Sequence, residues 1–77
     1  MPTFHIGVVN EHFAASDDHE CDDLEAARHS AIKGAIEIAA DSVANGEPLF
    51  AAEVTIDGDG KRLARYIVSV GASRLKL

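Results

Sequence analysis

The segment from Asp22 to Gly46, DDLEAARHSAIKGAIEIAADSVANG, constrains the fold of this 77-residue chain more than any other feature. It carries its own start and stop signals. Asp22 or Asp23 supplies a carboxylate to accept the free amides of a first helical turn. Glu25 adds negative charge near the positive end of the helix dipole. Asn45-Gly46 tolerates the left-handed conformation that closes a helix, and Pro48 prevents its continuation. The spacing therefore predicts one helix over about 23–45, close to a third of the chain.

At roughly 100° per residue the helix presents two apolar stripes. Leu24, Ala27, Ala31, Ala35 and Ile38 form the first, rich in alanine and suited to close approach to a sheet. Ile32, Ile36, Ala39 and Val43 form the second, beside it. Glu25 lies at the edge of the second stripe, and His29, Lys33, Glu37, Asp41 and Ala44 mark the wet side. Together the stripes cover about half the circumference, more than the ~100° that one sheet face needs. The larger side chains of the second stripe need another cover, and a chain this short has little loop to provide it. Ile32, Ile36 and Val43 are thus the expected contacts of a homodimer.

Strand patterns flank the helix. Phe4, Ile6 and Val8 alternate with Thr3, His5 and Gly7 over residues 2–9. Asn10-Glu11 reads as a turn, 12–15 as a short returning strand, and 16–20 as a polar loop. After Pro48, Phe50, Ala52, Val54 and Ile56 alternate with Ala51, Glu53, Thr55 and Asp57. Asp57-Gly58-Asp59-Gly60 is a hairpin signal, because Asp-Gly pairs supply the positive φ angles of tight turns. The return strand spans 61–70, with Ala64, Tyr66, Val68 and Val70 on one face and Leu63 and Ile67 on the other. Residues 72–77 form a tail that can carry Leu75 and Leu77 to a docking site. The expectation is a single small α+β domain over 1–77: a two-layer β-β-α-β-β arrangement, its antiparallel sheet packed on one face by the long helix. The helix separates the hairpins, so exchange between chains, a domain-swapped dimer, is also open.

Charge is unevenly placed. Residues 1–60 hold all 13 acidic side chains against Arg28 and Lys33, a balance of −11, whereas 61–77 hold Lys61, Arg62, Arg65, Arg74 and Lys76 with no acid, a balance of +5. The net −6 makes an acidic protein that repels polyanions, and few aromatics are available to stack on bases. The basic end is expected to pair with acidic surfaces of its own chain or of a partner. Cys21 is the single cysteine, which rules out an intramolecular disulfide and suits a reducing cytoplasm. No signal peptide is read at the N-terminus, and no apolar run approaches the ~20 residues of a membrane span.

Phe4-His5-Ile6, the acidic run before the helix and Asp23-Leu24-Glu25-Ala26-Ala27-Arg28 resemble a group of small bacterial proteins of unknown function, common in alphaproteobacteria such as rhizobia. Members of that group start with an aromatic-rich strand containing an F-H-V-like run, then pass through an acidic loop to D-L-E-A-A-R. Ile38-Ala39-Ala40-Asp41 and Asp57-Gly58-Asp59-Gly60 fit the later parts of the pattern. Two departures are Ala51-Ala52, where members often carry tryptophan, and Asp22, where many have proline. The resemblance implies a β-β-α-β-β fold in a cytoplasmic protein and implies no chemistry.

Residues able to carry chemistry are few. His12, His19, Cys21 and His29 are donor types for zinc or another transition metal, but H-x6-H-x-C matches no standard ligand spacing. Asp17, Asp18, Glu20, Asp22 and Asp23 crowd five carboxylates together without the D-x-D-x-D-G pattern of a calcium loop. No serine stands in a nucleophile motif and no glycine cluster forms a phosphate loop. Gly34 inside the helix costs up to ~1 kcal/mol relative to alanine, which a close crossing of another element would explain. The sequence thus points to a non-enzymatic, cytoplasmic, homodimeric protein–protein interaction or regulatory module, with no catalytic, cofactor or metal residues. Two alternatives stand beside it: a metal- or redox-sensing module on His12, His19 and Cys21, and an antitoxin-like nucleic-acid accessory using the basic C-terminal strand.

Overall fold

A computed structural model describes residues 1–76. The elements follow the expected order: β1 (Thr3–Val9), β2 (Ala14–Glu20), α1 (Leu24–Ala44), β3 (Leu49–Gly58) and β4 (Lys61–Gly71). The four strands make one antiparallel sheet in the order β2-β1-β3-β4, so the two hairpins join through β1 and β3 within one chain. The domain is α+β, as the patterning requires.

The helix ends where its signals place them. Asp23 is the N-cap, and its Oδ1 accepts the amide of Ala26 at 2.8 Å. At the other end Gly46 alone takes the left-handed conformation, at φ 115°, while Asn45 stays at −86° and its amide reaches the Asp41 carbonyl. The β3–β4 turn is made by Asp59 (φ 54°) and Gly60 (φ 75°), two positive angles in succession that match the twist of the flanking strands. Asp57-Gly58 instead belongs to β3, with Gly58 opposite Lys61.

Alternation on β1, β3 and β4 delivers Phe4, Ile6, Val8, Phe50, Ala52, Val54, Ile56 and Val68 to one face of the sheet, where they are buried. The helix meets them with Ala27, Ala31, Ala35 and Ala39, each within 3% of full burial. That stripe differs from the expected first stripe: Leu24 and Ile38 stay about two-fifths exposed, and Ala39 takes their place. Residues four apart form a ridge inclined to the helix axis, and an inclined ridge follows a twisted sheet better than an axial one. Alanine at all four positions brings helix and sheet close together. Ile56 and Val54 are completely buried beneath it, each worth about 1.5–3 kcal/mol of apolar transfer.

Two expectations require correction. Residues 16–20, read as a loop, are the main part of β2, which pairs along its whole length with β1 from Thr3–Glu20 to Val9–Ala14. The turn accordingly occupies 10–13, where Asn10 Oδ1 accepts the amides of His12 (2.8 Å) and Phe13 (3.1 Å). An edge strand beyond the helix's cover needs no apolar alternation, so its polarity concealed it. The second correction concerns Leu63. A register shift at Ile56/Asp57 sets Leu63 apart from its partners, and its Cδ1 approaches Gly58 together with the buried ring of Phe4. The bulge turns Leu63, still 36% exposed, off the face it was expected to share with Ile67.

One helix cannot roof four strands. It lies over β3 and β4 and barely touches β1, so β2 is left uncovered. Phe13 fills the end of the gap, its ring tilted against Phe50 at a centroid distance of 6.3 Å. Among the described residues no helix is long and apolar enough to cross a membrane.

Candidate functional site

The sheet face turned away from the helix carries a row of polar side chains across all four strands. The registers place Asp18 opposite His5, His5 opposite Asp57, and Asp57 opposite Arg62. His5 Nδ1 lies 2.8 Å from Asp18 Oδ1. Arg62 donates through Nε to Asp57 Oδ1 at 2.8 Å and through Nη2 to Oδ2 at 3.4 Å. Nearby, Arg65 Nη2 donates to Glu53 Oε2 at 2.8 Å. The hydrogen bond from Arg62 holds the Asp57 carboxyl below its usual range and raises the guanidinium in turn. The bond from Arg65 lowers Glu53 in the same way. Between these pairs Thr55 is buried, because Gly7 across from it has no side chain: a Cβ there would stand 2.8 Å from Thr55 Oγ1.

This row is a set of solvent-exposed polar contacts. The His5 and Asp18 side chains are 52% and 67% exposed, and among the described residues no hydroxyl or thiol is hydrogen-bonded to the imidazole. A nucleophile would need such a contact, and exclusion of water, to be activated. Counting back from the Asn10 turn would have found the His5–Asp18 pair, had β2 been recognised as a strand.

The histidines and the cysteine do not converge. His12 sits exposed in the β1–β2 turn and Cys21 is buried just past the far end of β2, about 20 Å away at ~3.4 Å per residue of strand. Cys21 donates its amide to the Pro2 carbonyl at 3.1 Å and its side chain joins the core. His19 is half-buried opposite Phe4, and His29 is exposed on the helix. Among the described residues no group of three or more His, Cys, Asp or Glu stands close enough to hold a metal ion. The basic residues are likewise divided. Arg62 and Arg65 are engaged by their own chain's carboxylates, Lys61 adjoins the hairpin turn, and Arg74 and Lys76 lie in the tail.

The apolar surface is more telling. The Arg28 guanidinium stands 5.7 Å from the centroid of the Tyr66 ring on β4, so this flank of the helix faces β4. The flank continuing from Arg28, with Ile32, Ile36 and Val43, therefore looks toward the β4 side. Ile32 and Val43 are half-buried against the core, whereas Ile36 is 46% exposed. Below them β4 is an edge strand of 11 residues; Ile67 on it is 71% exposed, but on the sheet face turned away from the helix. The opposite flank, with Gly34 and Ile38, borders an open groove floored by Ile6, Val8 and Ala15. Gly34 has nothing within 4 Å of where a side chain would start, so no close crossing among the described residues accounts for it.

No curated protein and no solved structure matches this chain. A family model does, over residues 3–69, a stretch that runs from the start of β1 almost to the end of β4. The chain belongs to the family described as a domain of unknown function, DUF6894.

Proposed function

We propose that this protein is a non-enzymatic protein–protein interaction module that works as a homodimer, paired through Ile32, Ile36 and Val43. The observation that carries this reading is the half-exposed Ile36 on the helix flank turned toward the free 11-residue edge of β4. A long edge without proline or bulge protection at its centre pairs readily with a second copy, and two-fold symmetry brings the same helix flank onto itself. A chain of this size buries only about 60% of its unfolded surface, so a dimer contact adds needed core. Exchange of hairpins between copies gives the same stoichiometry but requires breaking the β1–β3 pairing, so we favour the docking of intact subunits. In this reading the protein acts in the cytoplasm, where the lone buried thiol of Cys21 stays reduced. Sedimentation equilibrium of the wild type beside Ile36→Asp tests it: self-association of the first, and at least tenfold weaker association of a still-folded second, are expected.

A further inference from the structure

The edge opposite β4 has a different character. β2 is open along one side, and its side chains alternate between the two faces of the sheet. Ala15, Asp17 and His19 lie opposite Val8, Ile6 and Phe4, on the helix side; Ser16, Asp18 and Glu20 lie on the outer face. Between β2 and the helix runs the open groove, with a volume of about 350 Å³, lined mostly by apolar groups including Ile6, Val8, Gly34 and Ile38, with Asp17 and His19 also on its wall. An unpaired strand edge beside an apolar groove is the arrangement that accepts an added strand: main-chain hydrogen bonds hold it, and alternate side chains enter the groove. The acids decide which strand. A second β2 would bring carboxylate against carboxylate, whereas a basic strand meets opposite charge.

The chain contains a segment with that chemistry. Arg74, Leu75, Lys76 and Leu77 alternate basic and apolar residues. Leu75 is 81% exposed, and the stretch from Ala72 to Lys76 belongs to no helix or strand. We propose that β2 and its groove take up residues 72–76 of a second copy as an added strand, Leu75 entering the groove and Arg74 and Lys76 meeting Asp18 and Glu20. The chain's own tail cannot do so. Ala72 is still tied to the Pro48 carbonyl at 3.0 Å, beside the Gly71–Leu49 pair. From there the near end of β2 is three strand spacings across and four residues along, about 19 Å in all. Residues 73–77 span at most about 18 Å fully extended, which leaves none of them to pair. Attachment at β4 instead would set the basic tail beside Lys61, Arg62 and Arg65. The contact uses the opposite edge from the helix-flank pairing and stands or falls separately.

The test is titration of the isotope-labelled full chain with a synthetic peptide of residues 71–77, followed by amide chemical shifts. Shifts confined to β2 and to the helix near Gly34 and Ile38 are expected. Binding should weaken at least tenfold for a peptide with Arg74→Glu and Lys76→Glu, and likewise for one with Leu75→Asp. Ile38→Asp in the chain should abolish the shifts, whereas Ile36→Asp, on the dimer flank, should leave them intact. Absence of shifts at millimolar peptide, shifts centred on β4, or equal binding by the charge-reversed peptide would each overturn the proposal. The peptide variants keep it decidable if Ile38→Asp does not fold.

Discussion

Gly7 and Thr55 share one row of the sheet, and the Thr55 hydroxyl fills the volume that a side chain at position 7 would need. The absent Cβ at Gly7 would lie 2.8 Å from Thr55 Oγ1, an approach that real side chains do not make. Threonine is stiff about χ1, so the hydroxyl cannot yield at no cost. Gly7→Ala should therefore destabilise the protein by about 1–2 kcal/mol, as overpacking does, despite the smaller backbone entropy of alanine in the unfolded chain. In a Thr55→Ala background the same substitution should cost less, and a double-mutant cycle by urea unfolding measures the coupling. A stabilising Gly7→Ala in the wild-type background would contradict the packing described.

Asp23 carries the start of the helix alone, since Asp22 makes no capping contact with it. Removal of its carboxylate in Asp23→Ala leaves the Ala26 amide to water and should cost about 1 kcal/mol. Asp22→Ala should change stability by less than about 0.5 kcal/mol, the usual range for an exposed surface site. Equal losses for the two variants, read from thermal unfolding by circular dichroism, would place the cap wrongly.

The cross-strand pairs predict a pH dependence of definite sign. Arg62 and Arg65 hold Asp57 and Glu53 below their ordinary values, chiefly by donating hydrogen bonds to them. A depressed folded pKa contributes stability that is complete above the unfolded carboxyl range, around pH 4, and is lost as pH falls through the lower folded values. Arg62→Ala should move the Asp57 midpoint up toward its ordinary value, and Glu53 should follow by a smaller amount because Arg65 still holds it. Carboxyl carbon shifts followed by NMR through an acid titration give both midpoints. An Asp57 midpoint unchanged by the substitution would mean that the pair does not persist in solution.

These features were unequally legible in the sequence. The helix ends at Asp23 and Gly46, and the Asp59-Gly60 turn, are encoded by residues adjacent along the chain, so local chemistry suffices to read them. Strand β2 is different. Ser16-Asp17-Asp18-His19-Glu20 has no apolar alternation because nothing covers it, and only the register imposed by β1 makes it a strand. The His5–Asp18 pair disappeared from view with it. Leu63 departs from simple alternation for a related reason: alternation presumes an unbroken register, and the shift at Ile56/Asp57 is a property of two strands together. The helix's apolar arc was readable in its width but not in its phase, since Ala39 and not Ile38 completes the buried ridge.

Whether the uncovered flank of the helix serves pairing is decided most directly by sedimentation equilibrium across a wide range of protein concentration. The account predicts that a chain carrying Arg74→Glu and Lys76→Glu, which removes the tail contact, has the mass of two chains, and that adding Ile36→Asp, at a position 46% exposed and hence tolerable to the fold, leaves the mass of one with unchanged helix content. A wild-type protein that stays a single chain at the highest concentration would contradict it.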